Sequence, residues 1–215
     1  MGHLYWNDKE ANELIFQALT RSELILGTSD TVWGIMADIS RAGYEALNTL
    51  KRRPPEKPYL ILSGNVEKAK TFFEGRGLDN ERLDQLMHMC WPGPVTLVGK
   101  ACKELPAYLR SREGTIAVRV PQHAGLQAIL TRSQGLFSTS ANIAGCPVPS
   151  TFDEIDEKIR TVVRYIVVEK STILSQVYPS VPSTILDCSR ERIKVVRRGA
   201  FAIERLETLY GDSFD

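Results

Sequence analysis

The sequence is short of the residues that build metal and disulfide frameworks. It has only four cysteines in 215 residues (Cys90, Cys102, Cys146 and Cys188), and no two of them form a CxxC pair. That spacing argues against a disulfide scaffold or a zinc site and leaves four buried thiols in a reducing compartment as the plainest reading. Three histidines are too few for a His-rich metal centre. No apolar run approaches the roughly 18 residues of a membrane span. The opening MGHLYWNDKEANEL lacks the basic and apolar regions of a secretory leader, and it offers no Ser or Thr to complete a myristoylation signal after Gly2. An excess of one charge is also missing, since 27 Lys and Arg face 26 Asp and Glu for a net of +1. This excludes a uniformly basic nucleic-acid coat and an acidic disordered chain, while leaving room for a local cationic pocket. Repeats, low-complexity tracts and Gly/Ser linkers are absent too. The expectation is a cytoplasmic protein with one compact domain over residues 1–215.

What is present is 43% hydrophobic sequence, enough at this length to bury a substantial core. Apolar residues recur at helical spacing from Ala11 to Leu19, with Asn7 as the expected N-cap. A strand is predicted at Leu24–Leu26, a helix over Tyr44–Leu50, a strand over Tyr59–Leu62, and helices around Val66–Phe73 and Glu81–Met89. Strands follow at Val95–Val98, Ile116–Val120 and Leu136–Ser138, with a helix over Leu126–Leu130. A helix near Ile155, strands near Ile166, Thr184–Leu186 and Val195, and a helix near Leu206 complete the pattern. This alternation implies an α/β sheet covered by helices.

Five stretches are too polar for plain scaffolding. Thr28–Gly34 (TSDTVWG) places three hydroxyls and a carboxylate directly after a strand, where α/β proteins gather ligands, although a Ser/Thr turn would use the same residues. Lys51–Pro58 (KRRPPEKP) sets four cations among prolines at a helix end, which suits a polyphosphate or, more simply, complements a helix dipole. Cys90–Leu97 (CWPGPVTL) reads as a rigid turn feeding a strand and shaping a pocket wall. Arg119 interrupts the apolar run IAVRVP and needs an anion or a carboxylate partner, while Ser138, Thr139 and Ser140 crowd small hydroxyls at another strand end. Finally, Ser183 and Thr184 open a strand in PSTILD, and Arg197 ends one in VVRRG. His88 looks packed or superficial, and His123 is placed to cap a helix or line a pocket.

Taken in order, TSDTVWG, KRRPPEKP, WPGPVTLV, IAVRVPQH, LFSTSANIAG, PSTILD and VVRRG resemble the PT(D/E)TVYG, KxRP, WPGPxT, AVRVPxH, STSANxSG, STIxD and LRxG elements of the YrdC family of threonylcarbamoyl-AMP synthases. The seven segments span residues 28 to 199, about four fifths of the chain. The resemblance implies an open, twisted, largely mixed sheet flanked by helices, with a deep concave face. It also implies a reaction in which L-threonine, bicarbonate or CO2, and ATP give threonylcarbamoyl-AMP and pyrophosphate. Downstream transfer proteins would then pass the threonylcarbamoyl group to tRNA.

On that resemblance Lys51, Arg53, Ser140 and Asn142 carry the reaction. Lys51 and Arg53 hold the triphosphate with Lys57 nearby, Ser140 and Asn142 meet the nucleotide or its metal, Thr115 lies close to it, and Arg197 contacts the phosphate side. Thr31, Arg119 and Ser183 hold threonine, with Arg119 on its carboxylate, and Ser138 adds a main-chain contact. Mg2+ would arrive with ATP, held by phosphates and water rather than by a protein site. The chain departs from the family pattern at Thr28 (usually Pro), Ser29 (usually Thr), Trp33 (usually Tyr), Leu62 (a substrate-binding His in some relatives), Ala144 and Val148 (both Ser). The rival readings are a non-catalytic module binding tRNA or double-stranded RNA, a paralogue with a weakened threonine site, and the carbamoyl-transfer domain of hydrogenase maturation proteins.

Overall fold

A computed structural model describes residues 2–52, 58–74, 80–171 and 181–215. In chain order the elements are β1 (Gly2–Tyr5), α1 (Lys9–Thr20), β2 (Ile25–Gly27), β3 (Gly34–Asp38), α2 (Arg41–Lys51), β4 (Leu60–Leu62), α3 (Val66–Lys70), α4 (Asn80–Cys90), β5 (Val95–Lys100), β6 (Thr115–Arg119), α5 (Ala124–Leu130), β7 (Leu136–Ser140), α6 (Glu157–Val162), β8 (Tyr165–Val168), β9 (Thr184–Asp187), β10 (Lys194–Arg197) and α7 (Ile203–Tyr210). Every predicted helix and strand has a counterpart. Two strands, β1 and β3, were not expected.

The first helix corrects the predicted cap. Asp8, not Asn7, is the N-cap, its Oδ1 accepting from Ala11 N at 3.0 Å. Asn7 instead takes a left-handed φ of 64°, a conformation asparagine tolerates, and this turns the chain from β1 into α1. The buried face of α1 is Ala11, Ile15, Ala18 and Leu19, as the spacing required.

The ten strands form one mixed sheet in the order β1-β8-β2-β3-β7-β4-β6-β5-β9-β10. Strands β1/β8, β2/β8, β4/β6 and β5/β9 pair in parallel, and the other neighbours are antiparallel. Successive residues of a strand face opposite sides, so the register sorts them into two sets. Ile35, Phe137, Ile61, Val118, Leu97 and Leu186 share one face and join the larger apolar core. On the other face Met36, Leu136 and Leu62 pack beneath α1 and α5, through Ile15, Leu19, Leu126, Ile129 and Leu130. Further along these strands the same face presents Ser138, Leu60, Ala117, Thr96 and Ile185, the floor of an open cleft.

Trp6 fastens the covered part. It is 1% exposed, and a Cβ added at Gly125 would lie only 2.4 Å from the Trp6 Cβ, so glycine lets the start of α5 sit directly on the indole. His123 caps α5, with Nδ1 accepting from Leu126 N at 3.2 Å, and its ring meets Trp6 edge-on with centroids 5.4 Å apart. Burial pushes the His123 pKa down and Arg119 adds to this, while Glu169, 3.3 Å from Nε2, and Asp30 oppose it.

The thiols depart from expectation. Cys90 and Cys188 are buried, but Cys146 is exposed and Cys102 is only partly covered, donating to Glu104 at 2.7 Å. The two exceptions lie in loops, where no neighbouring layer covers them. Burial pushes the Cys90 thiol up to about 12 and raises Cys188 as well. Maleimide labelling of the folded protein should therefore modify Cys146 first and Cys102 next, leaving Cys90 and Cys188 unmodified until denaturant is added. Mass mapping of the labelled cysteines checks the order.

A second expectation concerns pH. With its folded pKa depressed below about 6.5, His123 contributes stability that is present above that value and is lost as pH falls towards the folded pKa. Thermal melts between about pH 5 and 7 should thus show a steeper acid-side loss for the wild type than for His123→Asn, which keeps a capping acceptor.

Candidate active site

The open part of the sheet face forms a cleft of about 360 Å³ between the turn after β2, the end of β7 and the β9–β10 wall. A larger groove of about 740 Å³, lined by Leu24, Leu50, Val163 and Arg164 among others, takes in Arg52 of the cationic segment but none of the described candidate site residues.

The turn at 28–34 is held by its own side chains. Ser29 Oγ accepts from Thr31 N and Val32 N, each at 3.2 Å, and donates to Val32 O at 2.8 Å, so the shorter hydroxyl residue still organises the loop. Thr28 accepts from Trp6 Nε1 at 3.1 Å, and its own N–H donates to Val167 O at 3.2 Å. Proline could make neither bond, so the departure at this position ties the turn to β8 and Trp6. The result presents Thr31 to the cleft and sends Asp30 towards β6.

Arg119, 2% exposed, closes the end of β6. Its Nη1 donates to Asp30 Oδ1 at 2.9 Å, and Asp30 Oδ2 accepts from Gln122 N at 2.9 Å. Arg119 Nε is buried without a hydrogen-bond partner. Burial lowers its pKa and Asp30 counters this. On the facing wall Arg197 Nε and Nη2 donate to Ser183 O at 2.9 and 2.8 Å, and Nη2 reaches Ser183 Oγ at 3.2 Å. Its pKa is lowered by burial and then by repulsion from Arg119. Two guanidinium groups thus share a cleft in which Asp30 already serves one of them, an arrangement that favours an anionic ligand.

Local sequence explains how Arg197 gets there. Val195 pairs with Leu186 on the core face, whereas Arg197 pairs with Ile185 on the cleft face, leaving Val196 as a bulge residue that also lines the cleft. Adjacent hydroxyls in PSTILD divide two tasks. Ser183 Oγ lies in the cleft, 2.8 Å from Thr96 Oγ1, while Thr184 Oγ1 accepts from Phe201 N and Gly199 N and donates to Phe201 O. That latch brings Gly199 so close to residue 182 that a Cβ there would meet Pro182 O at 2.3 Å. Sequence marks Thr184 only as a hydroxyl opening a strand and gives Thr96 no role of its own; their partners, Phe201 and Gly199 for Thr184 and Ser183 for Thr96, have no local signal.

Of the residues expected from sequence, Thr31, Arg119, Ser138, Ser140, Ser183 and Arg197 line one cleft. Lys51 and Asn142 adjoin it behind Ser140: Lys51 Nζ donates to Ser140 O at 2.8 Å, to Asn142 O, and to Asn142 Oδ1 at 3.2 Å. Thr115 shares a face with Ala117 and Arg119 by alternation but bonds Ser111 at 2.8 Å and does not reach the cleft wall. Arg53 and Lys57 lie outside the described residues. Among the departures, Leu62 is fully buried under α5, Trp33 is a core residue 5.9 Å from the Phe152 ring, Val148 lines the cleft and Ala144 is exposed. Among the described residues no cluster of three or more His, Cys, Asp or Glu side chains is arranged to hold a metal ion.

Comparison with known proteins identifies the family and the fold. The Sua5/YciO/YrdC family model, described as telomere recombination, matches residues 17–199. A protein of Vibrio campbellii named threonylcarbamoyl-AMP synthase is 31% identical over 149 residues, covering 68% of this chain and 80% of the relative. The fold also matches P. abyssi Sua5 complexed with L-threonine, with a TM-score of 0.85 at 21% identity over 99% of this chain; the chain spans 61% of the length of that Sua5. E. coli YciO superposes with a TM-score of 0.79 at 20% identity, covering 94% of this chain and 97% of its own. With the family model spanning residues 17–199 and a relative 31% identical over 68% of the chain, the chain belongs to the Sua5/YciO/YrdC family.

Proposed function

We propose that the protein is an L-threonylcarbamoyladenylate synthase, a nucleotidyltransferase that makes threonylcarbamoyl-AMP and pyrophosphate from L-threonine, bicarbonate or CO2, and ATP. The observation that carries the reading is the meeting of Thr31, Arg119, Ser183 and Arg197 in one cleft, in a chain whose relatives are named threonylcarbamoyl-AMP synthase. All 215 residues serve as one YrdC-like domain, a view supported by both ends of the chain contributing strands to one sheet. The product would pass to tRNA threonylcarbamoyl-transfer proteins in the cytoplasm. No described helix is long and apolar enough to cross a membrane.

In this reading threonine's amine takes up CO2 as a carbamate, and a carbamate oxygen attacks the α-phosphorus while pyrophosphate leaves. No side chain need form a covalent bond, so positioning and charge neutralisation do the work. Arg119 meets the threonine carboxylate, a partner for a guanidinium whose Nε is unpaired. Thr31 and Ser183 offer hydroxyls beside it. Arg197 faces the phosphates, with Arg53 and Lys57 as further cations, and Ser140 and Asn142 serve the nucleotide. Mg2+ accompanies the triphosphate, coordinated by phosphate oxygens and water; Asp30, the carboxylate beside the cleft, is occupied by Arg119 and Gln122.

Pyrophosphate release from ATP should require both threonine and bicarbonate. Equal release with serine, or with no amino acid, would overturn the assignment. Steeply salt-dependent binding of duplex RNA without ATP turnover would favour the RNA-binding reading instead.

The Arg119 assignment gives a separable expectation. Arg119→Lys keeps the charge but not the planar fork and should raise the KM for threonine by roughly tenfold or more, leaving that for ATP within about twofold. Asp30→Ala leaves a buried guanidinium without its counter-charge and should cost about 3–5 kcal/mol of stability, read from denaturant melts.

A further inference from the structure

We propose that Lys51 is a positioning residue of the nucleotide site and not a ligand of the triphosphate. This rests on the reading that ATP binds in the cleft, and it reverses the role that family resemblance gives Lys51.

Lys51 is the last residue of α2 and only 4% exposed. The chain turns away immediately after it, because Arg52 adopts a left-handed φ of 47° that ends the helix. An ammonium carries three protons. Those of Lys51 meet Ser140 O, Asn142 O and Asn142 Oδ1, acceptors 89 and 91 residues further along the chain. Asn142 Oδ1 accepts in addition from Ser140 Oγ at 2.6 Å, and Asn142 Nδ2 donates to Cys146 O at 2.5 Å. Ala141, between the two bonded residues, is held by its N–H to Trp33 O at 2.9 Å.

One buried cation therefore fixes the exit of β7, the orientation of the Asn142 amide and the rotamer of the Ser140 hydroxyl, which lines the cleft. Helix α2 is thereby fastened to the loop that would cradle the nucleotide. A phosphate reaching Lys51 would have to withdraw it from these acceptors, leaving buried carbonyl oxygens unsatisfied. The loop is better served by a lysine that stays put, with arginines left to face the anion.

Calorimetric titration of ATP at low and high salt, and of L-threonine, into wild type, Lys51→Met and Lys51→Arg tests this. Both variants should bind ATP about tenfold more weakly, roughly the loss of one strong hydrogen bond. The salt dependence of ATP binding should match that of the wild type, and threonine affinity should stay within twofold. Lys51→Arg should not rescue, because a flat fork cannot address the same three acceptors. A reduced salt dependence in Lys51→Met, or near-normal ATP affinity in either variant, would show that the charge itself contacts phosphate or that the clamp is dispensable, and would overturn the proposal. If Lys51→Met fails to fold, Lys51→Arg combined with Asn142→Ala gives the test. Losses smaller than the sum of the single effects support one shared network, and additive losses refute it. Wild-type protein that binds no ATP would refute the nucleotide site itself, and this role with it.

Discussion

A guanidinium moved from water into a protein interior is tolerated only when charge and hydrogen bonds meet it there. Arg119 is placed under that constraint by β6, whose alternation sends Val118 into the core and Arg119 to the other face. Asp30 supplies the counter-charge from a turn 89 residues away in sequence. The turn can deliver it because Ser29 braces the loop from within and Thr28 ties it to Trp6 and β8. The ion pair thus holds the first and fourth motif segments together across the sheet. Arg197, held by Ser183, then faces Arg119 across a shared space, and two guanidinium groups with Asp30 committed to one of them make that space favourable for an anion.

That cleft exists because, among the described residues, helices cover one face of the sheet at one end. Helices α1 and α5 seal Met36, Leu62 and Leu136, while the same strands continue as Ser138, Ser140 and Leu60, which line the cleft. Small hydroxyl residues are stable there because they face solvent or ligand on one side and a fully packed sheet on the other. Core and site are therefore two stretches of one surface. The near-neutral net charge describes the whole chain and says little about this part of it.

Much of this was legible in the sequence. Helical spacing located α1, α2 and α5, and the motif segments gave six residues that do line one cleft. The misses have physical causes. Strand β1 is four residues whose main partner, β8, comes some 160 residues later, so no local pattern announces it. Strand β3 follows a polar turn, and its burial on both faces removes the alternation that would mark it. Asn7 and Asp8 are both good caps, and only backbone geometry distinguishes them. Sequence identified Arg119 as needing a partner but could not name Asp30. Lys51 was recognised as important for its charge, whereas the fold spends that charge on carbonyl groups.

The bulge at Val196 has a consequence for how such a site can be built. Inner strands of a mixed sheet are phased by neighbours on both sides, and an extra residue in one of them would exchange its core and cleft positions together. Strand β10 has a single described neighbour, β9, so it can absorb an added residue without re-phasing the rest. One insertion there turns an arginine from the core side to the ligand side and leaves nine other strands undisturbed. The outermost strand is in this sense where the fold can gain chemistry without being rebuilt.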